Sequence, residues 1–189
     1  MVFTVLIEND YTESVLRRVN EYHGIIVDLT VDMVGLPNHA VSMREVVHHP
    51  GGVCVLALDG DDRVAMVRQY RFPFAEHMWE LPAGKLEPGE EPLPAAMREL
   101  SEETGLSADE WISLGSILAS PGFSTERLYL YLARGLHRGD AHPDPNEFLD
   151  AAFMPLAELE RRVMADELRD GKTVVGILKT ARYLASEQR

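Results

Sequence analysis

Apolar and polar residues alternate along residues 25–33, which begin at Ile25 and end at Met33. A period of two is typical of a strand with one buried face. Residues 36–39 have the composition of a turn, and residues 41–47 have the pattern of a returning strand. The sequence therefore predicts a β-hairpin near the N-terminus.

A second hairpin is predicted from residues 53–58 and 63–70. The first run is apolar throughout, which is typical of a buried strand, and Asp59-Gly60-Asp61-Asp62 forms a turn between the two. Further strands are predicted at residues 111–118, 127–133 and 151–154. Helices are predicted at residues 94–104, 156–165 and 174–185, the last with Thr173 as its N-cap. Hairpins with interspersed helices favour an α+β or α/β sandwich.

Composition indicates one compact domain with a small N-terminal extension, because 189 residues that are 46% hydrophobic suffice for a single core. The net charge of -13 has the wrong sign for a nucleic-acid partner. No window approaches the roughly 18 to 20 apolar residues of a membrane span, and residues 1–9 lack the basic start of a signal peptide. Cys54, in an apolar run, predicts a buried reduced thiol. We therefore expect a cytoplasmic protein without a membrane partner.

Three glutamates share one face of the predicted helix at residues 94–104. Glu99, Glu102 and Glu103 stand at i, i+3 and i+4, which places them about 5 to 6 Å apart. Each like-charged pair costs about 0.2 to 0.5 kcal/mol unless a cation binds. Carboxylates without Cys or His partners favour Mg²⁺ or Mn²⁺. Arg98 can reach Glu102 one turn later. Taken alone, the cluster also fits an ordinary exposed helix.

The segment around this helix resembles the Nudix box. That pattern runs Gly, five residues, Glu, seven residues, Arg-Glu, an aliphatic residue, any residue, Glu-Glu, any residue, Gly and an aliphatic residue. A chance match is on the order of 10⁻⁷. Every specified position is filled, by Gly84, Glu90, Arg98, Glu99, Leu100, Glu102, Glu103, Gly105 and Leu106.

The resemblance implies a metal-dependent hydrolase that cleaves a diphosphate linkage in a small nucleotide-type substrate. It implies a Nudix-type α/β/α sandwich with a mixed sheet, plus a small N-terminal antiparallel β-sheet. Residues 1–47 would form the N-terminal extension, used for dimerisation and the substrate pocket, and residues 48–189 the hydrolase domain. Glu99 and Glu103 would be the principal metal ligands. Glu102 would bind directly or through water, and the backbone carbonyl of Ala83 would complete the site.

Flanking residues resemble the ADP-ribose pyrophosphatase branch of the family. They are Arg68-Gln69-Tyr70-Arg71, the run Trp-Glu-Leu-Pro-Ala-Gly at residues 79–84, and Pro121. This branch implies hydrolysis of ADP-ribose to AMP and ribose 5-phosphate by a homodimer. Two alternatives stay open: hydrolysis of another nucleoside diphosphate sugar such as GDP-mannose, and a nucleotide-sensing module that binds without cleaving.

Four further residues are candidates for substrate binding. Arg71 and Arg44 would grip diphosphate oxygens, for which the guanidinium fork is suited, although Arg44 also fits a solvated strand position. Glu80 would support the site or pair with a nearby arginine. Glu126 would contact a ribose or a bound water, or would be a surface carboxylate.

The general base is sought in the loop after the box, at residues 142–148. Glu147 is the first candidate and Asp144 the second, because the branch that the chain resembles commonly carries a glutamate on a mobile loop there, although a solvated loop acid fits this position equally. The seven histidines have no metal-ligand spacing, so no histidine chemistry is assigned.

Overall fold

The computed structural model describes residues 9–187, which form two compact units. The first unit contains the residues up to His49 together with Ser120–Thr125, and the second contains the remainder. Residues 1–8, on which the expectation about a signal peptide depends, lie outside the described range, as do residues 188–189. The elements are β1 (Ser14–His23), β2 (Asp28–Gly35), β3 (Val41–His48), β4 (Gly52–Ala57), β5 (Arg63–Arg71), β6 (Glu76–Glu80), β7 (Ala83–Lys85), α1 (Pro92–Thr104), β8 (Leu106–Leu118), β9 (Arg127–Arg138), β10 (Leu149–Pro155), α2 (Leu156–Met164) and α3 (Gly171–Glu187).

The first unit is an antiparallel sheet of strand order β1-β2-β3. Strands β2 and β3 pair from Asp28 opposite His48 to Gly35 opposite Val41, so the predicted N-terminal hairpin is confirmed, with a later start. Strand β1 was not predicted. All ten of its residues are exposed, so no buried face gives the sequence a period of two.

The second unit contains a four-stranded mixed sheet of order β7-β4-β9-β8 and a three-stranded antiparallel sheet of order β10-β5-β6. Strands β4 and β9 run parallel. Alternate side chains of β4 enter two cores: Leu56 packs in one with Ile177 of α3, and Val55 packs in the other with Leu100 of α1. The mixed sheet therefore lies between helix layers, which confirms the predicted sandwich.

The predicted pairing of residues 53–58 with residues 63–70 is wrong. Strand β4 lies between β7 and β9, and β5 lies between β10 and β6. Among the described residues, a single isolated bridge between Leu58 and Val64 joins this pair of segments. All six residues of β4 are buried, as expected. A fully apolar run identifies a buried strand but contains no polar face that would indicate its neighbours.

The start of α3 also differs from the prediction. Asp170 directly precedes the helix, and its Oδ2 accepts a hydrogen bond from the backbone N of Thr173 at 3.1 Å. Asp170 therefore acts as the N-cap. Thr173 is the third helical residue and is fully buried, so the sequence assigned the cap three residues too late.

Two expectations drawn from composition can be compared with the structure. Cys54 is buried, and burial raises the pKa of its thiol to about 12, as expected for an unreactive core cysteine. None of the helices within residues 9–187 is long and apolar enough to cross a membrane.

Candidate active site

One guanidinium connects three glutamates of the box. Nε and Nη2 of Arg98 each donate to the Glu90 carboxylate at 2.9 Å. Its Nη1 donates to Glu99 at 2.8 Å and to Glu102 at 2.9 Å. The bonds to Glu90 are the main reason that the pKa of Arg98 is raised. Because Nη2 also donates to the Lys85 carbonyl at 3.2 Å, Arg98 fastens helix α1 to the end of strand β7 as well as to the loop that contains Glu90.

Two carboxylates of α1 are removed from water. Glu103 is 3% exposed, and its Oε2 accepts a hydrogen bond from the backbone N of Ala83 at 3.0 Å. Burial, assisted by the charges of Glu99 and Glu147, raises the pKa of Glu103 to about 8. Glu99 is 8% exposed, and burial raises its pKa although Arg98 opposes the shift. Two desolvated acids on one helix face create a strong local preference for positive charge.

The residue types at this face suit a hard divalent cation. Carboxylates of Glu99, Glu102 and Glu103 supply oxygen donors without sulfur or imidazole, which is the preference of Mg²⁺ and Mn²⁺. In the part of the chain that the structure describes, no three acidic, His or Cys side chains are grouped as a closed metal cluster. In the structure Glu99 and Glu102 accept hydrogen bonds from Arg98, whereas Glu103 accepts one from the amide of Ala83.

The glycine of the box leaves space for one of these carboxylates. Gly84 lies in β7 opposite Val53, so its backbone is held by the sheet. A Cβ at position 84 would overlap the carboxylate of Glu99, whose three terminal atoms are its nearest neighbours. Gly84 is therefore required for the observed position of Glu99.

A second cluster surrounds Glu80 at the end of β6. Glu80 is 1% exposed and accepts two hydrogen bonds from Arg71, both at 2.7 Å, and one from Lys172. Burial alone would raise the pKa of Glu80, but Arg71 and Lys172 outweigh burial and hold it below its ordinary value. Lys172 also donates to Asp170 at 2.9 Å. Of the two interpretations weighed for Glu80, the structure shows the pairing with an arginine.

Lys172 and Asp170 were missed by the sequence analysis. They lie about ninety residues beyond Glu80 in the sequence, in a segment that resembled only the start of a helix. Their single visible signal is the run Asp-Gly-Lys-Thr at residues 170–173. That signal is indistinguishable from ordinary helix capping.

The remaining candidates lie in different surroundings. Arg44 belongs to the first unit, where its Nε donates to Glu13 at 2.9 Å and its Nη1 to Met43 O at 2.9 Å. Glu126 precedes β9, and its carbonyl accepts from Ala119 N at 3.4 Å. Glu147 lies in the loop before β10.

The loop that holds the candidate bases is linked electrostatically to the buried acids. The charge of Glu147 raises the pKa of both Glu99 and Glu103. The backbone N of Glu147 donates to the carbonyl of Asp144 at 2.8 Å, which forms a local turn. Glu147 is therefore the acidic residue of this loop whose charge reaches both buried acids.

The chain is similar to known proteins in sequence and in fold. The family model described as NUDIX domain matches residues 48–173. The chain is 40% identical over 169 residues to the Methanol dehydrogenase activator of Bacillus methanolicus, covering 88% of this chain and 91% of that protein. It is 38% identical over 167 residues to the ADP-ribose pyrophosphatase of Bacillus subtilis (strain 168), with coverages of 87% and 90%.

A further relative and one solved structure complete the comparison. The ADP-ribose pyrophosphatase of Mycobacterium tuberculosis is 40% identical over 159 residues, covering 82% of this chain and 76% of that protein. A crystal structure of an ADP compounds hydrolase superposes with a TM-score of 0.83 at 19% identity, covering 96% of this chain and all (100%) of the other. At that identity, the superposition shows a shared fold.

Proposed function

Since this chain belongs to the Nudix hydrolase family, we propose that it hydrolyses ADP-ribose to AMP and ribose 5-phosphate, using Mg²⁺ or Mn²⁺. The observation that carries the proposal is the pair of buried carboxylates, Glu99 and Glu103, held beside the Ala83 amide and the Arg98 guanidinium. Two relatives at 38% and 40% identity are named ADP-ribose pyrophosphatase, and they support the choice of substrate.

In this proposal the box residues hold the cation. Glu99 and Glu103 are the principal ligands, Glu102 binds directly or through water, and the Ala83 carbonyl completes the set. A bound Mg²⁺ or Mn²⁺ would neutralise the developing phosphate charge, orient the diphosphate and lower the pKa of the attacking water. Arg98 would orient the carboxylates of Glu99 and Glu102, and the two hydrogen bonds that its Nη1 donates to them support this role.

Other residues would bind the substrate. Nε and Nη2 of Arg71 donate to Glu80. Because Nη1 of Arg71 forms no hydrogen bond within residues 9–187, it would be the atom that donates to a diphosphate oxygen. Arg44 would supply the second cation and Glu126 a ribose contact. A pure sensing module is less favoured, because binding alone has no need of buried acids whose desolvation opposes folding.

The proposed function is tested with a substrate panel. Purified protein is assayed with Mg²⁺ on ADP-ribose, GDP-mannose, diadenosine diphosphate, NADH and ATP, and kcat/KM is compared. We expect ADP-ribose to exceed every other compound by at least about tenfold, which corresponds to about 1.4 kcal/mol of discrimination. A preference for GDP-mannose would overturn the substrate assignment, and cleavage of none of the compounds would favour the sensing module.

Glu147 is proposed as the general base. We expect Glu147→Gln to lower kcat for ADP-ribose by about 10² to 10⁴-fold, because general base catalysis contributes that much, while KM changes little. Asp144→Asn, in the same loop, is the matched control and should retain near-normal kcat. Steady-state kinetics of both variants decide between them, and a fully active Glu147→Gln would remove this assignment.

Gly84→Ala is expected to displace the Glu99 carboxylate and reduce turnover by about 100-fold, since a shift of about 1 Å in a reacting group costs that much. Gly60→Ala is the matched control, because a Cβ there meets no atom within 4 Å. Turnover and melting temperature are measured for both. Wild-type turnover in Gly84→Ala would show that the space beside Glu99 is not needed.

We also propose a cytoplasmic homodimer formed through the N-terminal sheet. Strand β1 is an edge strand whose apolar side chains Val15, Leu16 and Tyr22 are more than half exposed. Exposed apolar side chains along an edge strand are typical of a contact surface. Light scattering should give twice the mass of the chain, and replacing Leu16 with Lys should shift the protein toward monomer. A wild-type monomer at micromolar concentration would contradict this.

A further inference from the structure

Three consecutive residues that enter β7 are each held by a different element. Leu81 N donates to Thr173 Oγ1 of α3 at 2.9 Å. Pro82 O accepts from Val55 N of β4 at 2.9 Å, and Ala83 N donates to Glu103 of α1 at 3.0 Å. The backbone beside the buried acids is therefore fixed from three directions, and two of the three anchors are side chains.

The anchor on α3 is itself held rigidly. Thr173 is fully buried, and its hydroxyl donates to Asp170 Oδ2 at 2.6 Å while accepting from Leu81 N. The neighbouring Lys172 joins Asp170 to Glu80, the residue before Leu81. This arrangement orients the hydroxyl proton toward Asp170, so a lone pair of Thr173 is directed at the Leu81 amide.

Helix α3 also approaches this segment closely. Gly176 lies one turn after Thr173, and a Cβ there would stand 2.5 Å from Leu81 Cδ1. Leu81 is itself almost fully buried. Loss of the Thr173 hydroxyl would leave the Leu81 amide buried without an acceptor, because water has no access to it.

We propose that Thr173 is a positioning residue for the cation site: through the Leu81 amide it fixes the backbone that presents Ala83 to Glu103. The proposal rests on the metal site of the proposed function, and it assigns to α3 a role in ion binding that the box itself does not contain. Groups that orient metal ligands typically contribute 10 to 100-fold to affinity or activity.

The chain offers a matched control about two turns further along the same helix. Thr180 is also fully buried, but its Oγ1 has no hydrogen-bond partner within residues 9–187. Thr180→Val therefore makes the same chemical change in the same helix without breaking a hydrogen bond. Thr173→Ser keeps the hydroxyl and serves as the conservative rescue of Thr173→Val.

The experiment compares Mn²⁺ binding by the full chain, measured by calorimetry without substrate, with kcat, KM and melting temperature. We expect Thr173→Val to weaken Mn²⁺ binding by at least about tenfold and to lower kcat more than it raises KM. Thr173→Ser should retain wild-type Mn²⁺ affinity and kcat, and Thr180→Val should match the wild type in both quantities. If Thr173→Val does not fold, Thr173→Ala removes the same acceptor with less bulk.

A Thr173→Val protein that melts earlier but binds Mn²⁺ with wild-type affinity would overturn the proposal, since Thr173 would then only stabilise the fold. Failure of both Thr173→Val and Thr173→Ala to fold would overturn it for the same reason, as would a wild type that binds no Mn²⁺. A wild type that binds Mn²⁺ without cleaving ADP-ribose would instead defeat the proposed function alone, because the titration contains no substrate.

Discussion

Glu103→Gln is expected to lower kcat for ADP-ribose by about 10³-fold or more without loss of folding. Electrostatic stabilisation of the transition state is commonly the largest catalytic contribution, and a neutral amide is a poor ligand for Mg²⁺. Glu103 is buried with only a backbone amide as its hydrogen-bond partner within the described range, so the amide variant should be at least as stable as the metal-free wild type. Kinetics with Mg²⁺ and thermal melts in EDTA measure the two effects.

Two variants at more exposed carboxylates serve as controls for Glu103→Gln. Glu102→Gln should have a smaller effect, because the Glu102 side chain is far more exposed than that of Glu103 and would bind directly or through water. Glu110→Gln changes an exposed carboxylate of β8 and should leave kcat unchanged. Near-normal turnover in Glu103→Gln would refute the metal-ligand assignment.

Arg98→Leu is expected to lower the free energy of unfolding by about 3 kcal/mol and kcat by about 100-fold. The substitution leaves Glu90, Glu99 and Glu102 without their shared cation, and breaking a buried ion pair costs about 3 to 5 kcal/mol. We expect a loss at the lower end of this energy range because the Arg98 side chain is 26% exposed. Chemical denaturation in EDTA and turnover with Mg²⁺ give the two values.

Arg161→Leu is the control for this prediction. Arg161 of α2 also binds a glutamate through two nitrogens, at 2.8 Å each, but its side chain is 56% exposed. Exposed ion pairs contribute less than about 1 kcal/mol, so this variant should be nearly as stable as the wild type. Equal destabilisation by the two substitutions would show that Arg98 has no special role in holding the box.

The elements with a clear period were predictable from the sequence. The predicted end of helix α2 differs from the observed end by one residue, and the predicted bounds of the β2–β3 hairpin differ from the observed bounds by at most three residues. Pairing of β4 with β9 was not predictable, because parallel strands about seventy residues apart have no local turn to connect them. Strands β6 and β7 are short and were not predicted, since Pro82 interrupts the run between them.

The candidate site shows the same division between local and long-range information. The contact of Arg98 with Glu102 follows from the helical i,i+4 spacing, and the structure contains it. The contact of Arg98 with Glu99, the next residue along the chain, does not follow from that spacing. The bonds from α3 to Glu80 and Leu81 join residues separated by 92 positions, and the sequence gives no local signal for them. Helical periodicity identifies the acids, whereas tertiary packing determines how the backbone around Ala83 is held.

The most direct measurement quantifies the products that the purified wild-type protein releases from ADP-ribose. The account predicts equimolar AMP and ribose 5-phosphate in the presence of Mg²⁺, no product in EDTA, and full recovery when excess Mg²⁺ is restored, because the buried acids of α1 require a cation to act. Absence of AMP in the presence of Mg²⁺, or release of AMP that EDTA does not suppress, would contradict the account.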